Sequence, residues 1–248
     1  MPTPTAAILI IGNEVLSAKV RDENGYYAAC RLRELGVQLV GTQTVPDVVE
    51  EIAQAVERLR GRVSWLFTSG GVGPTHDDVT LAAIARAFGR TVERSAEMEG
   101  WIRTAHQRAT GSAEVPEAAL RMADLPRGTR LFDAGRFPVM LLENVVILPG
   151  VPIFFQRQFD AFAQSLAAPP FRLACIYLGV GEERIAEVLD QVAASHPEVA
   201  IGSYPRFDEA DHRVRLTIEA KDVARVEQVV AELLQRLPSG AVLRTEGP

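Results

Sequence analysis

Ala6-Ala7-Ile8-Leu9-Ile10-Ile11 is a short, unbroken apolar run that ends at Gly12. A strand with one wet face alternates polar and apolar residues, so a continuous run of this length reads as a strand buried on both faces. Such a strand belongs in a parallel sheet covered above and below by helices. The following residues supply that cover. Asn24 to Leu35 places Tyr27, Cys30, Leu32 and Leu35 at near-helical spacing, and Gly36 offers a C-terminal stop. Val37 to Val45 returns as a strand. Asp47 then stands as the expected N-cap of a helix whose face carries Ile52, Ala55, Val56 and Leu59 and which stops at Gly61. Val63 to Thr68 is a third buried strand.

This β-α-β-α-β order, with crossovers long enough for a helix, predicts right-handed parallel connections and a three-layer α/β/α domain. Helices are expected at Val79 to Phe88 and Ala96 to Ala109, and Asp133 to Pro138 is irregular. Val139 to Leu142 and Val145 to Leu148 read as two strands joined at Glu143-Asn144, followed by Pro149-Gly150-Val151-Pro152 and a helix to about Leu166. After the linker Ala167-Ala168-Pro169-Pro170 the pattern changes. Strand Arg172 to Leu178, helix Glu182 to Ala194, strands Val199 to Tyr204 and Arg213 to Ala220, helix Val223 to Leu237 and strand Ala241 to Arg244 follow. That βαββαβ order is the ferredoxin-like α+β unit. Val214, Leu216 and Ile218 alternate with polar residues, so one face of its sheet is buried. The domains expected are 1–167 and 171–248.

A chain of 248 residues, 47% apolar, can bury both cores. Its formal charge of −6 supplies no basic footprint, which argues against a nucleic-acid partner. An anionic ligand would need backbone N–H groups, a helix N-terminus or a bound cation. The two cysteines, Cys30 and Cys175, read as small buried hydrophobes. Met1 to Thr5 lacks a basic n-region and the run to Ile11 is too short for a bilayer span, so no membrane association and a cytoplasmic location are expected.

Ligands of open α/β sheets collect beyond the carboxyl ends of the strands. Gly12-Asn13-Glu14, Val45-Pro46-Asp47 and Ser69-Gly70-Gly71-Val72-Gly73-Pro74-Thr75-His76-Asp77-Asp78 all fall there. The glycines permit close approach of a ligand to the main chain, Pro74 fixes the exit, Thr75 offers a hydroxyl, and a helix begins just after. A phosphate or diphosphate suits that loop; the plainer alternative is a glycine-rich turn whose acids cap the helix. Asp77 and Asp78 would repel an anion unless a divalent cation intervened, and carboxylates with phosphate oxygens make a hard-ligand shell. Glu14 and Asp47 are candidates for further ligands or a general base, or are caps and solvated charges. His76 could donate to a phosphate. Asn24 either faces the ligand or caps its helix, and Gly150 could bound the far side of the pocket. No Walker-type Gly-Lys-Ser/Thr and no Ser-His-Asp pattern occurs.

Ile11 to Ser17, Asp22-Glu23-Asn24, Val45-Pro46-Asp47, Thr68 to Thr80 and Leu148 to Pro152 together resemble the MoaB/Mog-type molybdopterin-binding domain in its CinA branch. Ala174 to Leu237, with Ile201 to Pro205 and Arg213 to Thr217, is similar to the segment that follows this domain in eukaryotic FAD synthase; so is Arg136-Phe137-Pro138. Ala18 stands where a glycine is common, and Asp133 to Pro138 replaces a Gly-Thr-Ala-Pro-Gly stretch typical of the CinA branch. The resemblance implies a dimer or trimer, functional acids at Asp47 and Asp78, and one of two activities. The first is hydrolysis of a diphosphate, as in FAD or ADP-ribose, dependent on Mg²⁺, Mn²⁺ or Co²⁺. In it Gly70, Gly71 and Gly73 hold the diphosphate with Ser69, Pro74, Thr75, His76, Asn24 and Gly150 around it, Glu14, Asp77 and Asp78 hold the metal, and Asp47 activates water. The second is binding and adenylylation of molybdopterin as ligand. A non-catalytic nucleotide-binding module is the third reading.

Overall fold

The computed structural model describes residues 3–206 and 211–248. Two compact units divide between Ala168 and Pro169.

In the first unit six strands lie in the order β2-β1-β3-β8-β7-β6: β1 (Thr5–Ile11), β2 (Gln38–Val45), β3 (Trp65–Ser69), β6 (Arg130–Phe132), β7 (Val139–Leu142) and β8 (Val145–Leu148). β1 pairs parallel with β2 and β3, and β3 parallel with β8. β7 and β6 complete one edge in antiparallel register. The sheet is therefore mainly parallel. β1 divides its side chains between two cores, as a period of two requires. Ala7, Leu9 and Ile11 pack with Ile52, Val56, Ile84 and Met98 from helices α3 (Val49–Arg60), α4 (Thr80–Ala87) and α5 (Ala96–Thr110). Ala6, Ile8 and Ile10 pack on the other side with Leu32 of α2 (Asn24–Glu34) and Phe155 and Phe159 of α7 (Pro152–Ala163). That makes three layers.

The structure corrects four local expectations. Asp47 is not the N-cap of α3: extended Val48 occupies that position without a side-chain cap bond, and the Asp47 carboxylate accepts the Asn13 N–H instead. The helix expected from Glu182 starts as a 3₁₀ turn at Glu182–Arg184 and becomes α8 only at Ala186–Ser195. Cys30 is half-buried, whereas Cys175 is buried. The short pieces α1 (Asn13–Leu16), β4 (Val92–Arg94), β5 (Asp124–Pro126), α6 (Glu117–Leu120) and β6 have no counterpart in the sequence reading, because three or four residues carry no periodic signal.

The second unit is a four-stranded antiparallel sheet in the order β10-β11-β9-β12, from β9 (Arg172–Leu178), β10 (Ala200–Pro205), β11 (Val214–Ala220) and β12 (Val242–Glu246). Val214, Leu216 and Ile218 pack on Ile176, Val192 of α8 and Val226, Val229 and Leu233 of α9 (Val223–Arg236). Among the described residues no helix is long and apolar enough to cross a membrane.

Phe159 is fully buried, lies 4.9 Å from Phe67 and 5.6 Å from Phe155 between ring centroids, and meets the Tyr27 ring at 6.3 Å edge-on. Phe159→Ala is expected to cost about 3–5 kcal/mol, read from the urea midpoint by circular dichroism. The Tyr27 hydroxyl is pushed up to about 12, first by burial and then by its 2.6 Å bond to Asp160. A phenol raised in the fold stabilises fully below its unfolded value of 10.0 and loses that contribution as pH climbs through 12. Absorbance titration of Tyr27→Phe should lack the component near pH 12.

Candidate ligand site at the strand ends

Main-chain contacts draw the ends of four parallel strands together. Gly12 N–H donates to Val45 O at 3.2 Å, joining the ends of β1 and β2. Gly70 N–H donates to Leu148 O at 3.2 Å, joining β3 to β8. Gly70 has a φ of +110° and sits against the Ile11 carbonyl, where a methyl group would collide with that oxygen. A methyl on Gly150 would come within 3.3 Å of the Gly70 Cα. Asn24 crosses between two of these loops: its Nδ2 donates to Ser69 Oγ at 2.9 Å and to Gly150 O at 2.7 Å. It is buried, its Oδ1 has no partner, and it serves as a tie between loops instead of a helix cap.

The glycine loop is pinned from the far side by Thr80, a buried residue that the sequence reading did not place in the site. Its N–H donates to Gly71 O at 3.0 Å and its hydroxyl to Gly70 O at 2.9 Å. Both bonds consume carbonyls. Among the described residues no acceptor engages the N–H groups of Gly71, Val72 or Gly73. These are three half-buried donors, separated from α4 by residues 74–79 but tied to its start by the Thr80 to Gly71 bond.

Asp47 is half-buried, and its Oδ2 accepts the Asn13 N–H at 2.7 Å. Asp78 is half-buried too, and its Oδ2 takes the Thr75 N–H at 2.8 Å and the Thr75 hydroxyl, closing the end of the loop. Asp77 is exposed. Its carboxyl is held below the ordinary value first by the Thr75 hydroxyl, then by its own main-chain N–H, with His76 adding to the effect. In the structure the Thr75 hydroxyl donates to Asp78. A depressed carboxyl stabilises above its unfolded value of 3.8 and loses this as pH falls through the folded one, so Asp77 is ionised at neutral pH. His76 has a side chain 97% exposed, 3.9 Å from Asp77, and nothing orients it. Pro74 and Thr75 are exposed, and Glu14 folds its carboxylate back over Gly12. The structure does not gather Glu14, Asp77 and Asp78 into a ligand set: among the described residues no group of three or more His, Cys, Asp or Glu could hold a metal ion.

Beyond Gly150, Val151, Pro152, Ile153 and Phe154 are all exposed. Four consecutive exposed apolar residues are unusual on a folded surface unless something covers them. This run at the first turn of α7 was the available sequence signal for an apolar rim.

A family model described as "Probable molybdopterin binding domain" matches residues 7–168, and one described as "FAD synthase, middle domain" matches 170–246. A "Probable FAD synthase" of Caenorhabditis elegans is 34% identical over 94% of this chain and 50% of its own length. A "CinA-like protein" of Citrifermentans bemidjiense is 34% identical over 93% of this chain and 58% of its own. The chain thus spans about half the length of these relatives. The solved structure of the protein CinA from Thermoplasma acidophilum superposes with a TM-score of 0.58 at 25% identity, covering 66% of this chain and 98% of that one.

Gly70→Ala is expected to cost more than about 3 kcal/mol, since the new Cβ meets backbone and the φ is hostile to side chains. Gly61→Ala, with open space around it and an ordinary φ of −77°, should be neutral or gain up to about 1 kcal/mol. Thermal melts of the two variants compare them directly.

Proposed function

Because the chain belongs to the family of probable molybdopterin binding domains, we propose that its first unit binds a phosphorylated nucleotide or pterin on the loop Ser69 to Asp78 and hydrolyses the diphosphate of a dinucleotide such as FAD or ADP-ribose. The observation that carries this is the set of unengaged N–H groups at Gly71, Val72 and Gly73 before α4. In a chain of charge −6, such fixed dipoles are the available complement to a diphosphate. Thr80 and Gly70 keep the loop in shape for it, and the exposed rim from Val151 to Phe154 offers an apolar seat for the flat ring of a nucleotide or pterin.

The protein's own acids fit a divalent cation only as a partial shell. Asp77, with the Asp78 oxygen that Thr75 leaves free, supplies two carboxylates, and phosphate oxygens and water fill the remainder, as is usual for Mg²⁺. A bound Mg²⁺, Mn²⁺ or Co²⁺ would offset the carboxylates beside the phosphates and polarise phosphorus. Asp47, fixed through Oδ2 by the Asn13 N–H, keeps Oδ1 to orient a water and take its proton. That water adds to one phosphorus, the bridging P–O bond breaks, and AMP leaves together with the second phosphate ester.

Incubating the purified chain with FAD or ADP-ribose and each of the three metals should release AMP, and Asp47→Asn should lower kcat by about 10²-fold or more. No AMP with any pair would overturn hydrolysis. Molybdopterin binding is the second reading, favoured by the family match over residues 7–168; pterin fluorescence that co-purifies with the chain, and its ATP-dependent adenylylation, would establish it. Asp78 is also consistent with a purely structural role, since Thr75 already engages it twice. Turnover unchanged in Asp78→Ala would point to a binding module. Assembly into a dimer or trimer belongs to the same proposal and is read by sedimentation equilibrium.

A further inference from the structure

Asp78 stands just ahead of α4, where an acid is expected to cap the helix. It does not act as a cap. Val79 holds that position, without a side-chain cap bond. The Asp78 carboxylate turns back along the chain instead: its Oδ2 accepts the Thr75 N–H at 2.8 Å and the Thr75 hydroxyl, while the Asp78 N–H donates to Thr75 O at 3.3 Å. Its Oδ1 accepts no bond among the described residues.

Gly73 shows where this turn aims the carboxylate. A Cβ built on Gly73 would stand 2.7 Å from Asp78 Oδ2 and 3.1 Å from both Cγ and Oδ1. The carboxylate therefore lies against the Cα of Gly73, in the place a side chain would take. Gly73 is one of the three residues whose N–H groups have no acceptor among the described residues. A negative charge is thus seated beside the donors that an anionic ligand would use.

We propose that Asp78, positioned by Thr75 over Gly73, is a specificity-determining residue: it makes the loop take a diphosphate as its divalent-cation complex and reject the free anion. The inference rests on the loop reading above and adds to it the charge form in which the ligand binds. A phosphate held by the Gly73 N–H stands well inside the screening length of about 8 Å at physiological ionic strength, so the Asp78 charge repels it. In the cation complex the open Oδ1 meets a hard cation of the kind that carboxylates and phosphate oxygens share. One carboxylate thereby opposes the first form and favours the second, so the selection works by repulsion as well as attraction. Thr75 acts through Asp78 and is a positioning residue.

The test is calorimetric titration of the full chain with ADP, once with Mg²⁺ and once with EDTA, which reads the ratio of the two dissociation constants. Wild-type protein should favour the Mg²⁺ condition by about tenfold or more. Asp78→Asn keeps an acceptor for both Thr75 donors and loses the charge. It should bind ADP in EDTA about tenfold more tightly than wild type, with a ratio near one. Thr75→Val should lower the wild-type ratio by about threefold, and Thr75→Ser should keep it. Damage to folding alone lowers both affinities together and leaves the ratio unchanged. A wild-type ratio near one, or a ratio in Asp78→Asn as large as in wild type, would overturn this inference and leave the loop reading standing. No ADP binding in either condition would overturn the loop reading, and this inference with it.

Discussion

The packing of Gly70 against the Ile11 carbonyl is the contact on which the first unit's site depends. Two main chains can approach that closely only where one lacks a Cβ. This approach brings the β3 loop to the end of β1, and the Gly70 to Leu148 bond brings in β8. With Thr80 holding the carbonyls of Gly70 and Gly71, the N–H groups of Gly71, Val72 and Gly73 are left open for a ligand. Polarity at the site is thus a product of backbone bookkeeping, and it opposes the sign of the whole chain.

Much of this arrangement was legible in the residue pattern. The buried runs of β1 and β3 announced a covered parallel sheet, and the three glycines after β3 announced a turn that side chains would block. The convergence of the strand ends followed from topology alone. Local bonds were less legible. Asp47 before an amphipathic helix has the form of an N-cap, yet its carboxylate reaches 34 positions back in the chain to Asn13. No spacing rule anticipates a partner so distant. Asn24 has the form of a cap or a ligand contact because it stands at the start of a helix; its burial between Ser69 and Gly150 depends on two other loops. The acids illustrate the same limit: Glu14, Asp77 and Asp78 follow the carboxyl ends of neighbouring strands, but Asp78 turns to Thr75 and Glu14 folds back over Gly12.

Ala18 shows a cost written into the backbone. It adopts a φ of 55°, the left-handed region that glycine occupies freely, and the following N–H groups of Lys19 and Val20 both donate to Glu14 O. The turn is evidently determined by those two bonds rather than by the residue at its apex. The departure from glycine is therefore absorbed locally, at a strain on the order of 1 kcal/mol.

The division of β1 between two cores carries an implication for how the chain tolerates change. Alternate residues of this strand belong to opposite layers, one lined by α3 to α5 and the other by α2 and α7. Inserting or deleting a single residue between Thr5 and Ile11 would exchange the occupants of both layers at once, swapping alanine and isoleucine sites against walls shaped for the reverse. Lineages of such a protein should accordingly vary in length at the hairpins and at the edge near β6, and keep the reading frame of this one central strand invariant.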